Sequence, residues 1–385
     1  MILTTDSVGA AASSRSPTIS DSLCPRRLME ERLPRSVQPF LSWLTAKPAS
    51  WEAAPRVSPL DHVVRAFALT IGGTLLSLGA IAAGGLWPGL AVVGLVLTTS
   101  GLSRLQAVVL HHAAHGTVLA SRPANRRLGR LISALLLIKR FDDYQREHML
   151  HHSARKLLTD EDEFAQFMFG LMHLEPGLPL ARLRRRVVTT LLSPSFHLRW
   201  LLLRAGSALT PRDPGHAALA AALWIPQAAL AILTGQFGAW LVAWVVPVTV
   251  LYQWTTAGRV LCEHRFPDEV MIRARGKEFV CLATTGVFAG QAPTGTGPAF
   301  WIGWWSSMLT VHLLSRVLVL VGDAPCHDYH HRRPGSRGWA GYAHARQADA
   351  DAGCPGYPLN YVDSWGLVGT IERNLATLAA ARPSR

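Results

Sequence analysis

AFALTIGGTLLSLGAIAAGGLWPGLAVVGLVLTTSGLS, residues 66–103, contains no Asp, Glu, Lys, Arg or His and is bounded by Arg65 and Arg104. As helix, about 38 residues extend about 57 Å, close to two crossings of a hydrocarbon layer about 30 Å thick. Gly84-Gly85-Leu86-Trp87-Pro88-Gly89 supplies a turn near the middle, with Trp87 suited to the far interface. The run therefore predicts a helical hairpin. Its second member returns to the starting side and delivers His111, His112 and His115 just past the membrane edge. A second uncharged run, Ala217 to Gly258, has Gly235-Gln236-Phe237-Gly238 near its middle and reads the same way. Its returning helix delivers Cys262-Glu263-His264-Arg265. The expected fold is an all-α integral membrane protein: two transmembrane hairpins (four spans), interfacial helices and a cytoplasmic histidine-box cap.

The composition agrees with that architecture. Of 385 residues, 49% are hydrophobic and only 16% are charged, which does not suit a string of soluble domains. The five cysteines have no C-x-x-C and no paired spacing, so neither a disulfide framework nor a zinc ribbon is indicated. A net charge of +13 invites a nucleic-acid reading, but no stacking aromatics in a soluble module accompany the basic residues. The far-side turns lack Lys and Arg, whereas the near-side loops are rich in Arg. The positive-inside rule then places both termini and all histidine clusters in the cytoplasm, as in a bacterial inner membrane.

Around the hairpins the chain divides into residues 1–56, an N-terminal tail; 57–345, the catalytic unit; and 346–385, a C-terminal tail. Residues 1 to about 30 read as disordered, and Leu33–Leu44 as a short interfacial helix. Leu131–Ile138 is too brief to span and reads as interfacial or re-entrant. The basic run Arg182, Arg184, Arg185 and Arg186 marks an anionic-lipid contact or a topology determinant, and 183–204 an amphipathic surface segment. Residues 300–321 hold Trp301, Trp304 and Trp305 but also His312 and Arg316, and read as interfacial rather than spanning.

Three histidine clusters carry the chemistry. Arg146-Glu147-His148-Met149-Leu150-His151-His152 and Cys326-His327-Asp328-Tyr329-His330-His331 both read H-x-x-H-H, and His111 and His115 form an H-x-x-x-H pair. Residues i, i+3 and i+4 of a helix lie on one face, where imidazoles can converge on one metal ion or on two adjacent ones. Imidazole suits Fe, Zn, Cu and Ni alike, so ligand type does not select the metal. No H-E-x-x-H occurs, which counts against a zinc protease. His62, His173, His197, His216 and His344 are unclustered and read as packed or exposed rings. A metal-transport protein would place ionisable residues within the spans, and both runs have none.

In this order (H-x-x-x-H after a hairpin, H-x-x-H-H, a second hairpin, H-x-x-H-H) the chain resembles the membrane fatty acid desaturase superfamily. That superfamily includes related lipid, alkane and carotenoid hydroxylases and ketolases. His115-Gly116, Asn125 with Leu128-Gly129, His151-His152 followed by Asp160-Glu161-Asp162, and Glu263-His264-Arg265 all resemble elements of its pattern. The resemblance covers about residues 60–335. His112, where an acidic residue is common, and the Asp323–Pro325 lead-in depart from it.

The resemblance implies a diiron centre using O2 and two electrons to desaturate an acyl chain. It implies as ligands His111, His115, His148, His151, His152, His327, His330 and His331, with His264 rather than His312 as the ninth. His112, Glu147, Asp160, Asp162, Glu263 and Asp328 are candidates to orient the ligand rings through their second nitrogens. Hydroxylation on the same scaffold is the alternative, and box spacing does not separate the two. No H-P-G-G motif is present, so electrons are expected from a separate ferredoxin- or cytochrome-type donor. The substrate is expected to arrive from the membrane.

Overall fold

The computed structural model describes residues 24–84 and 88–381. Of the stretch to about residue 30 that reads as disordered, the first 23 residues lie outside them, as does the place of Trp87, whereas residues 25–30 belong to a helix that a disordered reading does not expect. Among the described residues four helices are long and apolar enough to cross a membrane: Pro59–Ala83, Gly89–Ala114, Pro214–Leu233 and Phe237–Glu263. They form the two expected hairpins.

Each hairpin starts at a strong stop signal for the preceding loop. Ser58 Oγ accepts from the Asp61 N–H, the Asp61 carboxylate accepts from the Ser58 N–H, and Pro59 opens the helix. This reciprocal cap satisfies donors that the first turn cannot pair internally. Asp213 does the same for the third span, accepting from the His216 N–H at 2.9 Å before Pro214. Within the first hairpin the helices approach closely. A Cβ on Gly73 would collide with the Thr98 backbone, and one on Gly94 with Ser77. Small residues at such crossings drive association in lipid, where burial of apolar surface contributes little. The outward faces carry Val64, Ile71, Leu75 and Val92, all exposed and ready for acyl chains. The second hairpin turns at Gly235, whose φ of +68° a side chain would resist.

The remaining elements gather at the end of the bundle where the spans begin and finish. Arg122–Leu135 packs under the third span and ends short of the buried Ile138. The amphipathic surface segment is two helices, Leu180–Leu191 and Pro194–Ala208, broken at Ser193, whose hydroxyl caps the second. Pro298–Val319 is one long helix bent by 81° against Ala324–Arg332, so this pair could form a fifth, broken crossing or a re-entrant loop. Its break falls at Gly322, directly before the last histidine box.

The N-terminal segment is helical over Pro25–Arg32 and Gln38–Thr45, with Met29, Leu41 and Leu44 packed on Trp304 and Met308. The C-terminal segment folds back over the histidine boxes instead of trailing away. Asp363–Trp365 pairs in parallel with Gly286–Phe288, a small sheet absent from the all-helical reading. Helix Leu367–Ala380 brings Asn374 Nδ2 to the carbonyls of Leu261 and Cys262, at 3.2 and 2.9 Å. Those carbonyls end the fourth span and have no partner inside it.

Candidate metal centre

Every histidine of the three clusters sits at a helix end or break. The second span widens into π-helix over Leu105–Leu110 immediately before His111, and such wide turns re-aim the residues that follow. His115 closes that span. His148 and His151 end the helix Phe141–His151, with His152 as its C-cap. His327, His330 and His331 lie on the six-residue helix His327–Arg332. His264 follows the fourth span in extended conformation, held by a bridge to Thr284 and by the Arg265 N–H to Ala283 carbonyl bond of 2.9 Å.

The rings converge in two groups. One contains His111, His115, His148, His152 and His330; the other contains His151, His264, His327 and His331. Within each group the ligand nitrogens all lie within 4.8 Å of one another. In the first, Nε2 of His330 is 2.5 Å from His111, 3.0 Å from His115 and 3.0 Å from His152. In the second, Nε2 of His264 is 3.1 Å from His151 and 3.3 Å from His327, and His327 is 3.0 Å from His331. The groups adjoin: His152 of one and His331 of the other stack with centroids 4.4 Å apart.

All nine rings turn Nε2 inward, which ordinary hydrogen bonding does not explain. A neutral imidazole offers one donor and one acceptor, so five mutually adjacent nitrogens cannot all be satisfied by each other. A central cation satisfies them all. With metal–nitrogen bonds of about 2.1 Å, ligands at right angles lie about 3.0 Å apart, which matches the spacing found. The donor set therefore fits two adjacent metal ions, one with five imidazoles and one with four.

The electrostatics keep the lone pairs available. Burial, then the neighbouring imidazoles, drives His115 down to about 2 and His152 well below its ordinary value. Burial also lowers His148, against the pull of Glu163. His151 differs: burial opposes its charged form, but the Asp162 carboxylate outweighs this and raises it. His151 Nδ1 donates to Asp162 Oδ1 at 2.8 Å, and Asp162 also accepts from the backbone N–H of Leu158 and Phe164. That fixes the ring with Nε2 pointing inward.

The other carboxylates divide. Glu263 lies 3.8 Å from His327 Nδ1 and is held by Arg259 through both oxygens. Asp328 is fully buried but faces Arg346 instead of a ring, with bonds of 2.8 and 2.7 Å. Glu147 pairs with Lys139, and Asp160 is exposed; neither reaches a histidine. Glu163, which the spacing did not single out, stands 3.8 Å from His148 Nδ1. His112 Nε2 bonds Asp323 at 2.8 Å while its ring stacks on Trp339, centroids 3.8 Å apart. His312 is buried outside both groups. Of the unclustered rings, His62 bonds the Ala340 carbonyl and His197 bonds Gln253.

A cavity of about 350 Å³ opens onto both groups through His111, His148, His151 and His327. Ile138, Phe164, Phe167, Leu171, Trp200 and Leu203 give it an apolar wall.

The family model described as fatty acid desaturase matches residues 85–365, which include all nine converging histidines. The chain belongs to the fatty acid desaturase family. Searches among curated proteins and among solved structures returned no match. As a family member with four such apolar helices among the described residues, the chain is an integral membrane protein of the oxidoreductase type. Asp323 and Arg346 are the partners that spacing could not reveal, since they meet His112 and Asp328 only through tertiary contact. Glu163 carried one local signal: it directly follows Asp160-Glu161-Asp162.

Proposed function

We propose that this chain is a diiron, O2-dependent acyl-lipid desaturase. His111, His115, His148, His152 and His330 would hold one iron, and His151, His264, His327 and His331 the other. The observation that carries the reading is the cavity whose apolar wall leads to histidines of both groups. A chain entering from the lipid can lie along Trp200, Leu203 and Phe167 with a methylene pair brought up to His111 and His327. The iron pair supplies the oxidising power that side chains lack. Overall, two hydrogens leave adjacent carbons, O2 is reduced to two waters, and two electrons and two protons are consumed.

The chain's own residues bind and orient. Asp162 keeps the Nδ1 proton of His151 in place, and Glu163 and Glu263 stand near His148 and His327. Tyr144 lies parallel to His148, centroids 5.4 Å apart, and with Phe164 keeps water from the ring faces. Desaturation over oxygen insertion then depends on how firmly the cavity positions both carbons. Electrons come from a separate ferredoxin- or cytochrome-type protein, and the half-buried His115 beside Arg122 and Arg127 offers an acidic donor a place to dock. The histidine end faces the cytoplasm.

Lipid mass spectrometry of a host with saturated membranes tests the reaction. Products lacking a hydrogen pair, formed only when His330 is intact, support desaturation; products gaining an oxygen atom support hydroxylation. A cysteine placed at Gln236 should label from outside the cell and one at Gly335 only after permeabilisation. Reversed labelling would overturn the cytoplasmic placement.

A further inference from the structure

A second cavity, of about 250 Å³, lies where the first hairpin begins and ends. His62 and Arg65 line it from the first span, Arg104 from the second, and Arg316, Tyr342 and His344 from the opposite side. Arg104 is 5% exposed, so its head does not reach water as membrane arginines commonly do. Its Nε has no hydrogen-bond partner among the described residues, and no carboxylate among them forms an ion pair with it. Arg316, 1% exposed, spends its donors on the Trp43 and Leu320 carbonyls and the Tyr342 hydroxyl, none of which neutralises its charge. His344 Nε2 and His62 Nδ1 are also buried without partners among the described residues. The one acidic residue on the wall, Glu52, is engaged by the Ser42 hydroxyl and the Ala49 N–H.

Two buried guanidiniums without a paired carboxylate are costly to keep, since a desolvated cation needs a partner and the buried Asp323, bonded to His112, acts on Arg104 only from a distance. A ligand anion removes that cost. We propose that this cavity binds a phosphate-bearing anion, gripped by the Arg104 guanidinium and neutralised jointly with Arg316 and Arg65. Phosphate matches the site in three ways. Its oxygens suit the planar fork of arginine, its double charge suits several cations, and the cavity far exceeds the room of about 30 Å³ that one water occupies. His62 Nε2 is taken by the Ala340 carbonyl, so a nearby anion favours the charged ring and makes Nδ1 a further donor. The site stands apart from the histidine groups, separated by Trp339, which packs between His62 and His112. The phosphate could belong to a lipid headgroup or be free in solution.

The test melts the full-length protein, purified in an uncharged detergent. Inorganic phosphate, a short-chain phosphatidic acid and the matching diacylglycerol are added separately. Stabilisation by phosphatidic acid but not diacylglycerol, with inorganic phosphate much weaker, identifies a lipid headgroup. Equal stabilisation by inorganic phosphate identifies the free anion. In either case Arg104→Gln should weaken the apparent affinity by about tenfold or more, the worth of one charge-assisted bond. With no anion present it should melt above the wild type, because an uncompensated buried charge is gone. Its metal content should be unchanged, which also reports that it folds. Should it fail to fold, Arg104→Lys, which keeps the charge but not the fork, should bind with intermediate affinity. No stabilisation of the wild type by either phosphate compound, or an undiminished response in both variants, would overturn the proposal.

Discussion

The two H-x-x-H-H boxes have the same spacing and opposite assignments. In the box at 148–152, His148 and His152 join the five-histidine group and His151 joins the other. In the box at 327–331, His327 and His331 join the four-histidine group and His330 crosses over. Helix geometry explains the split. Successive residues are about 100° apart, so i+4 lies about 40° to one side of i while i+3 lies about 60° to the other. The i, i+4 pair can therefore share one centre while i+3 reaches past it. Two such helices facing each other each give a pair to the nearer centre and one ring to the farther. The boxes differ instead in how they are braced. The first has carboxylates on its rings, through Asp162 and Glu163; the second is anchored by Asp328 to Arg346 and is approached by Glu263.

This comparison can be broken at several points, beginning with the largest effect. His151→Ala removes a ring from the four-histidine group and should abolish turnover while the five-histidine group still loads, so metal analysis should show about half the wild-type content. Complete retention of metal and activity would refute the crossing. Arg346→Met leaves Asp328 buried without its partner, and loss of one member of such a pair costs about 3–5 kcal/mol. A melting temperature close to wild type would mean that the second box is not anchored through Asp328.

Asp162→Asn should weaken metal affinity about 10- to 100-fold, the usual cost of losing a carboxylate that orients a ligand histidine. Competition with a chelator measures it. The effect of Glu163→Gln should be smaller and depend on pH. Burial pushes the Glu163 carboxyl up, but the His148 ring and the Lys139 ammonium hold it down at about 2, against an ordinary 4.5. A depressed pKa contributes stability that is complete above 4.5 and is lost as pH falls toward 2. The difference in stability between wild type and Glu163→Gln should therefore shrink as the medium is acidified through that window. Asp160→Ala, by contrast, should change stability and metal affinity by no more than about 0.5 kcal/mol, as for an ordinary surface substitution.

These particulars show what the sequence could and could not convey. The hairpins were legible because an uncharged run of sufficient length has few other uses, and the histidines because spacing places them on neighbouring helix positions. The division of rings between centres was not, because identical spacing gives opposite divisions depending on which helix faces which. Asp162 was visible as a local neighbour of its box, whereas Asp160, two residues away, turns to solvent. His112 found its carboxylate 211 residues away, at Asp323, beyond any local pattern. The C-terminal segment reads as a tail because it holds no histidine box and no apolar run long enough to span, although Leu367, Ile371, Leu375 and Leu378 recur at helical spacing. Its hold on the site combines an apolar helix face, Ile371, Leu375 and Leu378 packed on Leu261 and Phe266, with two polar contacts that no periodicity announces, Arg346 on Asp328 and Asn374 on the end of the fourth span.

The central claim is that two unlike histidine groups hold an adjacent pair of irons. Mössbauer spectroscopy of the full-length protein loaded with enriched iron addresses it directly. The account predicts two quadrupole doublets of equal area in the wild type, one of which disappears in His151→Ala. A single iron per chain, or zinc in protein purified from iron-replete cells, would contradict it.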